Sequence, residues 1–110
     1  THSESSVKRT KKVKQDALLQ NYHNPFNPET WIPYLLSEPA HVMIQIYSIS
    51  GQLVRTLKIG RQDAGAYVDH AKAAYWDGRN NAGERMASGV YFYQMQADTF
   101  RATRKMELSQ

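Results

Sequence analysis

Apolar and polar residues alternate with a period of two along much of this 110-residue chain. The alternation runs through residues 32–36, 42–47, 52–57 and 100–108. Successive side chains of a β-strand point to opposite faces of its sheet, so this period predicts strands that bury one face. The turn at 48–51, which ends in glycine, predicts a hairpin between the second and third of these strands.

A longer apolar run, residues 90–97, begins with Val, Tyr, Phe and Tyr in succession. Such a run predicts a central strand that is covered on both faces. After a turn at Asp98 and Thr99, the strand at 100–108 places Arg, Thr, Lys and Glu on one of its faces. We therefore expect a last strand that is half exposed and basic.

The pattern is weaker between these strands. Residues 60–65 predict a polar loop, and residues 66–76 predict an irregular connection that ends in a short strand. Six or seven short strands separated by regular turn signals predict an all-β fold, a β-sandwich of about seven strands.

The segment LLQNYHNPFNPETWIPY, residues 18–34, contains three prolines, and we call it the proline ribbon. Prolines fix φ and disfavour helix in the residues before them. Tyr22, Phe26 and Trp31 are large apolar anchors, so we expect an ordered, packed segment rather than a linker. The proline ribbon follows an extended N-terminal arm, residues 1–17, and begins a sandwich domain, residues 18–110.

Composition predicts one soluble domain, with 41% hydrophobic residues and no apolar run long enough for a membrane span. The net charge of +4 lies mainly in the arm, where five Lys and Arg residues oppose two acidic ones. The basic arm has no aromatic residue to stack on a base, so no nucleic-acid partner is predicted. The absence of cysteine excludes disulfides and thiol chemistry, and the absence of an initiator Met predicts a removed leader or a longer parent protein.

No enzyme active site is predicted. The four histidines, His2, His23, His41 and His70, lie in different segments, and no serine has the setting of a nucleophile elbow. We expect no cofactor, with one possible exception. Asp77, Asn80, Asn81 and Glu84 offer oxygen ligands in a short loop, which a calcium ion prefers. The alternative is that these side chains satisfy backbone donors of the turn.

Four motifs occur together and in order: NPFNP at 24–28, WDGR at 76–79, ASGVYFY at 87–93 and RKM at 104–106. Together they resemble the immunoglobulin-like sorting domain at the C-termini of proteins exported by the type IX secretion system. That domain is similar to the immunoglobulin-like domain of the flagellar hook-capping protein. The resemblance implies an immunoglobulin-like β-sandwich without catalytic activity, which the export machinery recognises and which is usually removed at the outer surface.

Two docking mechanisms remain open, and both place the protein outside the cell or on its surface. In the first, the domain is a sorting domain that the secretion machinery binds. In the second, the chain is the subunit of an extracellular filament, in which the arm of one copy adds a strand to the next copy and forms a homopolymer. The family resemblance favours the first, whereas chain length and the missing Met favour the second. The residues predicted to dock lie in the arm and on the last strand: Val7, Lys8, Arg9, Lys11, Lys12, Val13, Lys14, Arg101, Arg104 and Lys105.

Overall fold

Nine β-strands make up the regular structure of residues 12–109, which are the residues that the computed structural model describes. In chain order they are β1 (Ala17–Leu18), β2 (Thr30–Ile32), β3 (Tyr34–Leu36), β4 (Ala40–Ser48), β5 (Leu53–Gln62), β6 (Gly65–Tyr67), β7 (Ala74–Trp76), β8 (Gly89–Ala97) and β9 (Phe100–Leu108). This part of the chain contains no helix that could cross a membrane. The predicted all-β fold is confirmed.

One layer is a sheet of four antiparallel strands in the order β5-β4-β8-β9. The predicted hairpin between β4 and β5 is present, and the N–H of Gly51 donates to the Ser48 carbonyl oxygen at 2.9 Å. Ala97 pairs with Phe100, so β8 and β9 are joined by a two-residue turn. The turns predicted at 48–51 and at Asp98 and Thr99 are therefore both confirmed.

The second layer contains two smaller sheets, β1-β3-β6 and β2-β7. Here the single strand predicted for residues 32–36 is wrong, because the segment changes partner at Pro33. Ile32 pairs with Ala74 of β7, whereas Tyr34 pairs with Tyr67 of β6. Proline has no N–H to continue a ladder, and this interruption lets one extended segment contribute to two sheets.

The core lies between the two layers. Its largest fully buried apolar side chains are Trp76, Tyr34, Tyr93, Phe26, Ile32, Leu36, Ile44, Ile46, Met95, Met106 and Leu108. Buried and half-buried residues alternate along β8, and Phe92 lies on its half-buried outer face. The prediction that this strand is covered on both faces is therefore wrong. On the outer face of the sheet, Phe92 packs beside its cross-strand neighbour Tyr47 and is not covered by a further layer of the described residues.

The strand β5 extends to Gln62, so the polar loop predicted at 60–65 is mostly strand. The register between β4 and β5 shifts at Val42 and Met43, opposite Gly60. Gly60 has φ of +90°, which an L side chain rarely adopts. The glycine thus marks an irregularity within the strand rather than its end.

Candidate functional site

The centre of the proline ribbon runs beside β9 and hydrogen-bonds to it. The Phe26 N–H donates to the Glu107 carbonyl oxygen at 3.0 Å, and the Ser109 N–H donates to the Phe26 carbonyl oxygen at 2.8 Å. The Glu107 N–H donates to Asn24 Oδ1 at 2.9 Å. The Phe26 ring is buried, with its centroid 5.5 Å from that of the Trp76 ring. The expectation of an ordered ribbon is confirmed.

A buried polar cluster holds the start of the ribbon against β8. The Asn21 N–H donates to the Tyr93 hydroxyl at 2.8 Å, and that hydroxyl donates to the Leu19 carbonyl oxygen at 2.7 Å. Asn21 Nδ2 donates to Thr30 Oγ1 at 2.9 Å, and both side chains are buried. Burial raises the pKa of Tyr93 to about 12, so its hydroxyl keeps the proton that it donates. Asn21 and Thr30 were not predicted from the sequence, where their only signal was a polar position among aromatic anchors.

The WDGR motif forms a turn whose polar groups bind one another. Asp77 Oδ1 accepts a hydrogen bond from the Arg79 N–H at 3.1 Å. It also forms an ion pair with the Arg55 guanidinium, 3.0 Å away. The Trp76 indole N–H donates to the Arg79 carbonyl oxygen at 2.8 Å. Arg55 lies on β5, so the turn after β7 is tied to the opposite layer.

The four residues predicted as a possible calcium site lie in or beside this turn. Asn80 Oδ1 accepts from two backbone N–H groups, at 3.0 and 2.9 Å, and Asn80 Nδ2 donates to the Glu84 carboxylate at 2.9 Å. Asn81 Oδ1 accepts from the Thr56 N–H at 3.1 Å. These contacts favour the alternative in which the side chains satisfy backbone donors. Calcium binding stays a prediction.

A row of aromatic side chains lies on the outer side of β2 and β7, and we call it the aromatic row. Tyr22, Trp31 and Tyr75 are neighbours across three adjacent backbone segments. The His70 ring stacks on Trp31 with the ring centroids 4.0 Å apart. Tyr75 is exposed, and a hydrogen bond from its hydroxyl to the Glu29 carboxylate, 2.7 Å long, raises its pKa to about 12.

The three basic residues of β9 that were predicted to dock do not share one environment. Arg101 and Lys105 are exposed on the outer face of the four-stranded sheet. Arg104 is also exposed, but it lies on the inner side of the strand, where its Nε donates to the Leu18 carbonyl oxygen at 2.6 Å. Arg104 therefore positions β1 beside β9, and Arg101 and Lys105 remain available for contacts.

The described end of the arm is anchored to the sandwich. The Asp16 carboxylate accepts hydrogen bonds from the Ser37 N–H at 2.7 Å and from the Ser37 hydroxyl at 3.0 Å. Ala17 already belongs to β1, one residue before the predicted start of the domain. Of the arm residues predicted to dock, Lys12 and Lys14 are exposed and Val13 is half-buried, whereas Val7, Lys8, Arg9 and Lys11 lie outside the described residues.

Histidine side chains do not assemble into one site within residues 12–109. His41 lies on β4, His23 on the proline ribbon and His70 on the aromatic row. In this part of the chain no three His, Asp or Glu side chains come close enough to hold a metal ion together. Among the side chains that the described residues expose are Tyr75 of the aromatic row and Arg101 and Lys105 of β9.

Comparisons with known proteins agree with this architecture. The family model of the FlgD Ig-like domain matches residues 27–100. No curated protein matches the chain. Dimeric latent PorU from Porphyromonas gingivalis shares the fold with a TM-score of 0.65 at 16% identity, over 87% of this chain and 10% of PorU.

Two further solved structures share the fold. PorZ, an essential surface component of the type IX secretion system of the same organism, gives a TM-score of 0.54 at 17% identity, over 86% of this chain and 12% of PorZ. FlgD from P. aeruginosa gives a TM-score of 0.54 at 18% identity, over 89% of this chain and 74% of FlgD. The chain thus spans only a small part of PorU and PorZ. Since the family model covers residues 27–100, from the proline ribbon to the start of β9, the chain belongs to the FlgD Ig-like domain family.

Proposed function

We propose that this chain is a non-enzymatic docking module that addresses an attached protein to the type IX secretion machinery and acts on the cell surface or outside the cell. The observation that carries the proposal is the shared fold with PorU and PorZ, the second of which is a surface component of that system. The matched part is 10% and 12% of those chains, the size of an appended module rather than of a complete enzyme.

The geometry supports a role in contacts rather than in chemistry. Asp77, Asn80 and Arg104 belong to residue types that serve in active sites, but here they hold the WDGR turn and β1 in place. Tyr75 of the aromatic row, Arg101 and Lys105 are among the exposed side chains. Exposed aromatic and arginine side chains are the residue types that contribute most to protein interfaces.

The proposal is tested by export of a reporter. Residues 1–110 are fused to the C-terminus of a fluorescent protein that carries a leader, in a bacterium with a type IX secretion system. We expect the reporter on the cell surface or in the medium, and we expect its loss from there in a strain without the system. The matched control is the same reporter fused to the Ig-like domain of FlgD from P. aeruginosa, which has the fold but comes from a flagellar protein.

Two outcomes would overturn the proposal: retention of the reporter inside cells with an intact system, or equal export of the FlgD fusion. The filament mechanism stays a prediction, because most arm residues that it uses lie outside the described residues. Filaments of the purified chain in electron micrographs, lost on deletion of residues 1–17, would favour it over the sorting role.

A further inference from the structure

The strand β9 is an edge of the four-stranded sheet, and within residues 12–109 the ribbon hydrogen-bonds to the outward backbone groups of only one of its halves. The proline ribbon binds the second half, where Glu107 and Ser109 hydrogen-bond to Phe26 and Asn24. Gln20 Nε2 also donates to the Lys105 carbonyl oxygen, at 2.8 Å. We call the other half, residues 100–103, the open half of β9.

The direction of the backbone groups in the open half follows from the register. Both the N–H and the carbonyl oxygen of Glu107 bind the ribbon, so they point away from β8. Backbone groups repeat their direction every second residue, and the pairing with β8 is continuous from residue 100 to 108. The N–H and C=O groups of Arg101 and Thr103 therefore point away from β8 as well, and no backbone group of residues 12–109 binds them.

The core is also less well covered beside the open half. Met106 and Leu108, which face inward where the ribbon lies, are each 1% exposed. Phe100 and Ala102 face inward in the open half and are only half-buried. A strand added beside the open half would bind the free backbone groups and cover these two side chains.

Charge selects the kind of strand that fits. Residues 99–106 include three basic side chains, Arg101, Arg104 and Lys105, and no acidic one. We propose that the open half of β9 pairs with an extended, acidic segment of a partner protein. The chain's own arm, with five Lys and Arg residues, is disfavoured as the strand at this edge by like charge. This inference rests on the proposed docking function and names the edge and the chemistry of its partner.

A peptide-binding experiment tests the inference. The probes are two short fluorescent peptides, one of alternating Val and Glu and the other of alternating Val and Lys, titrated with the full chain at low salt. We expect the acidic peptide to bind at least about tenfold more tightly than the basic one. We also expect the amide resonances of Arg101 and Thr103 to shift on binding.

Thr103→Pro removes the outward N–H without removing a bond to β8, so we expect it to fold and to bind the acidic peptide about tenfold more weakly. Thr103→Val, which keeps the N–H, is the matched control and should bind as the parent does. A second variant, Arg101→Glu with Lys105→Glu, should prefer the basic peptide.

Equal binding of both peptides, no binding, or unchanged charge preference in the double variant would overturn the inference. If the reporter fusion is still exported in that case, the proposed function stands and only the open edge fails. If the intact fusion is not exported, the proposed function fails whatever the peptides do.

Discussion

Two tyrosines buried in the same core differ in what their hydroxyl groups contact. The Tyr93 hydroxyl accepts from the Asn21 N–H and donates to the Leu19 carbonyl oxygen. The Tyr34 hydroxyl has no partner at hydrogen-bond distance within the described residues. Burial raises its pKa, and the nearby Gln62 side chain offsets only part of that rise. A buried hydroxyl without a partner destabilises the fold, so its removal costs little. Removal of a hydrogen-bonded hydroxyl leaves its buried partners unsatisfied and destabilises the fold.

We therefore predict different results from the same substitution at the two positions. Tyr93→Phe should lower the free energy of unfolding by about 1–3 kcal/mol, because two backbone groups lose their partner. Tyr34→Phe should change it by less than about 0.5 kcal/mol or raise it. Urea unfolding of both variants checks this, and equal losses at the two positions would contradict it.

At the scale of elements, the WDGR turn packs against the proline ribbon through one glycine. Gly78 has φ of +80°, and a Cβ atom at this position would lie 2.6 Å from the Pro28 carbonyl oxygen. Gly83, in the turn that follows, has φ of +86° and nothing within 4 Å of such an atom. The two glycines share a backbone conformation but differ in packing, so they form a matched pair.

Gly83→Ala should lower the free energy of unfolding by about 1–2 kcal/mol, the cost of a left-handed conformation for an L side chain. Gly78→Ala should lower the free energy of unfolding by at least about 2 kcal/mol more than Gly83→Ala does. The added Cβ would clash with the Pro28 carbonyl oxygen, which belongs to the hydrogen-bonded ribbon. Thermal unfolding of the two variants measures the difference. A similar loss in both would show that the ribbon moves away freely.

Sequence patterns predicted the elements well where the cause was local. The period of two placed β4 and β9 because it reflects which side chains face the core. The same reasoning failed at Pro33 and in β8. Pairing of the segments around Pro33 depends on strands that lie far away in the chain. Burial of the outer face of β8 depends on whether another layer packs there, which an apolar run alone does not show.

At the scale of the whole molecule, the sandwich encloses ionisable groups in both layers. Tyr34 on β3 and Tyr93 on β8 are fully buried, and burial raises the pKa of each to about 12 from the ordinary value of 10.0. A raised pKa in the folded state means that the folded chain holds the proton more tightly than the unfolded chain does. This stabilisation is fully present below pH 10 and is lost as pH rises through 12.

We predict that the free energy of unfolding falls between pH 10 and pH 12, by up to about 1.4 kcal/mol for each unit of pKa difference. Urea unfolding at a series of pH values measures the slope. Tyr93→Phe should show a shallower slope, since it removes one of the titrating tyrosines. A constant free energy over this range would contradict the prediction.

The candidate site was predictable only in part. Arg101, Arg104 and Lys105 were recognised as basic residues of one strand, and all three are exposed. The inward role of Arg104 comes from Leu18, a residue 86 positions away. The oxygen-rich loop at Asp77 was recognised for its ligand types, but its contacts with Arg55 and Thr56 depend on β5, which lies in the other layer.

By itself, the sequence determined the all-β class, the ordered proline ribbon and the family, because alternation, prolines and motifs act through neighbouring residues. Tertiary structure alone decided which edge of the sheet is covered, where the proline ribbon binds and which basic residues remain free. These features arise between segments distant in the chain, whose hydrogen bonds exist only once the two layers have met. The open half of β9 is such a feature, since it lies beyond the residues of β9 that hydrogen-bond to the ribbon.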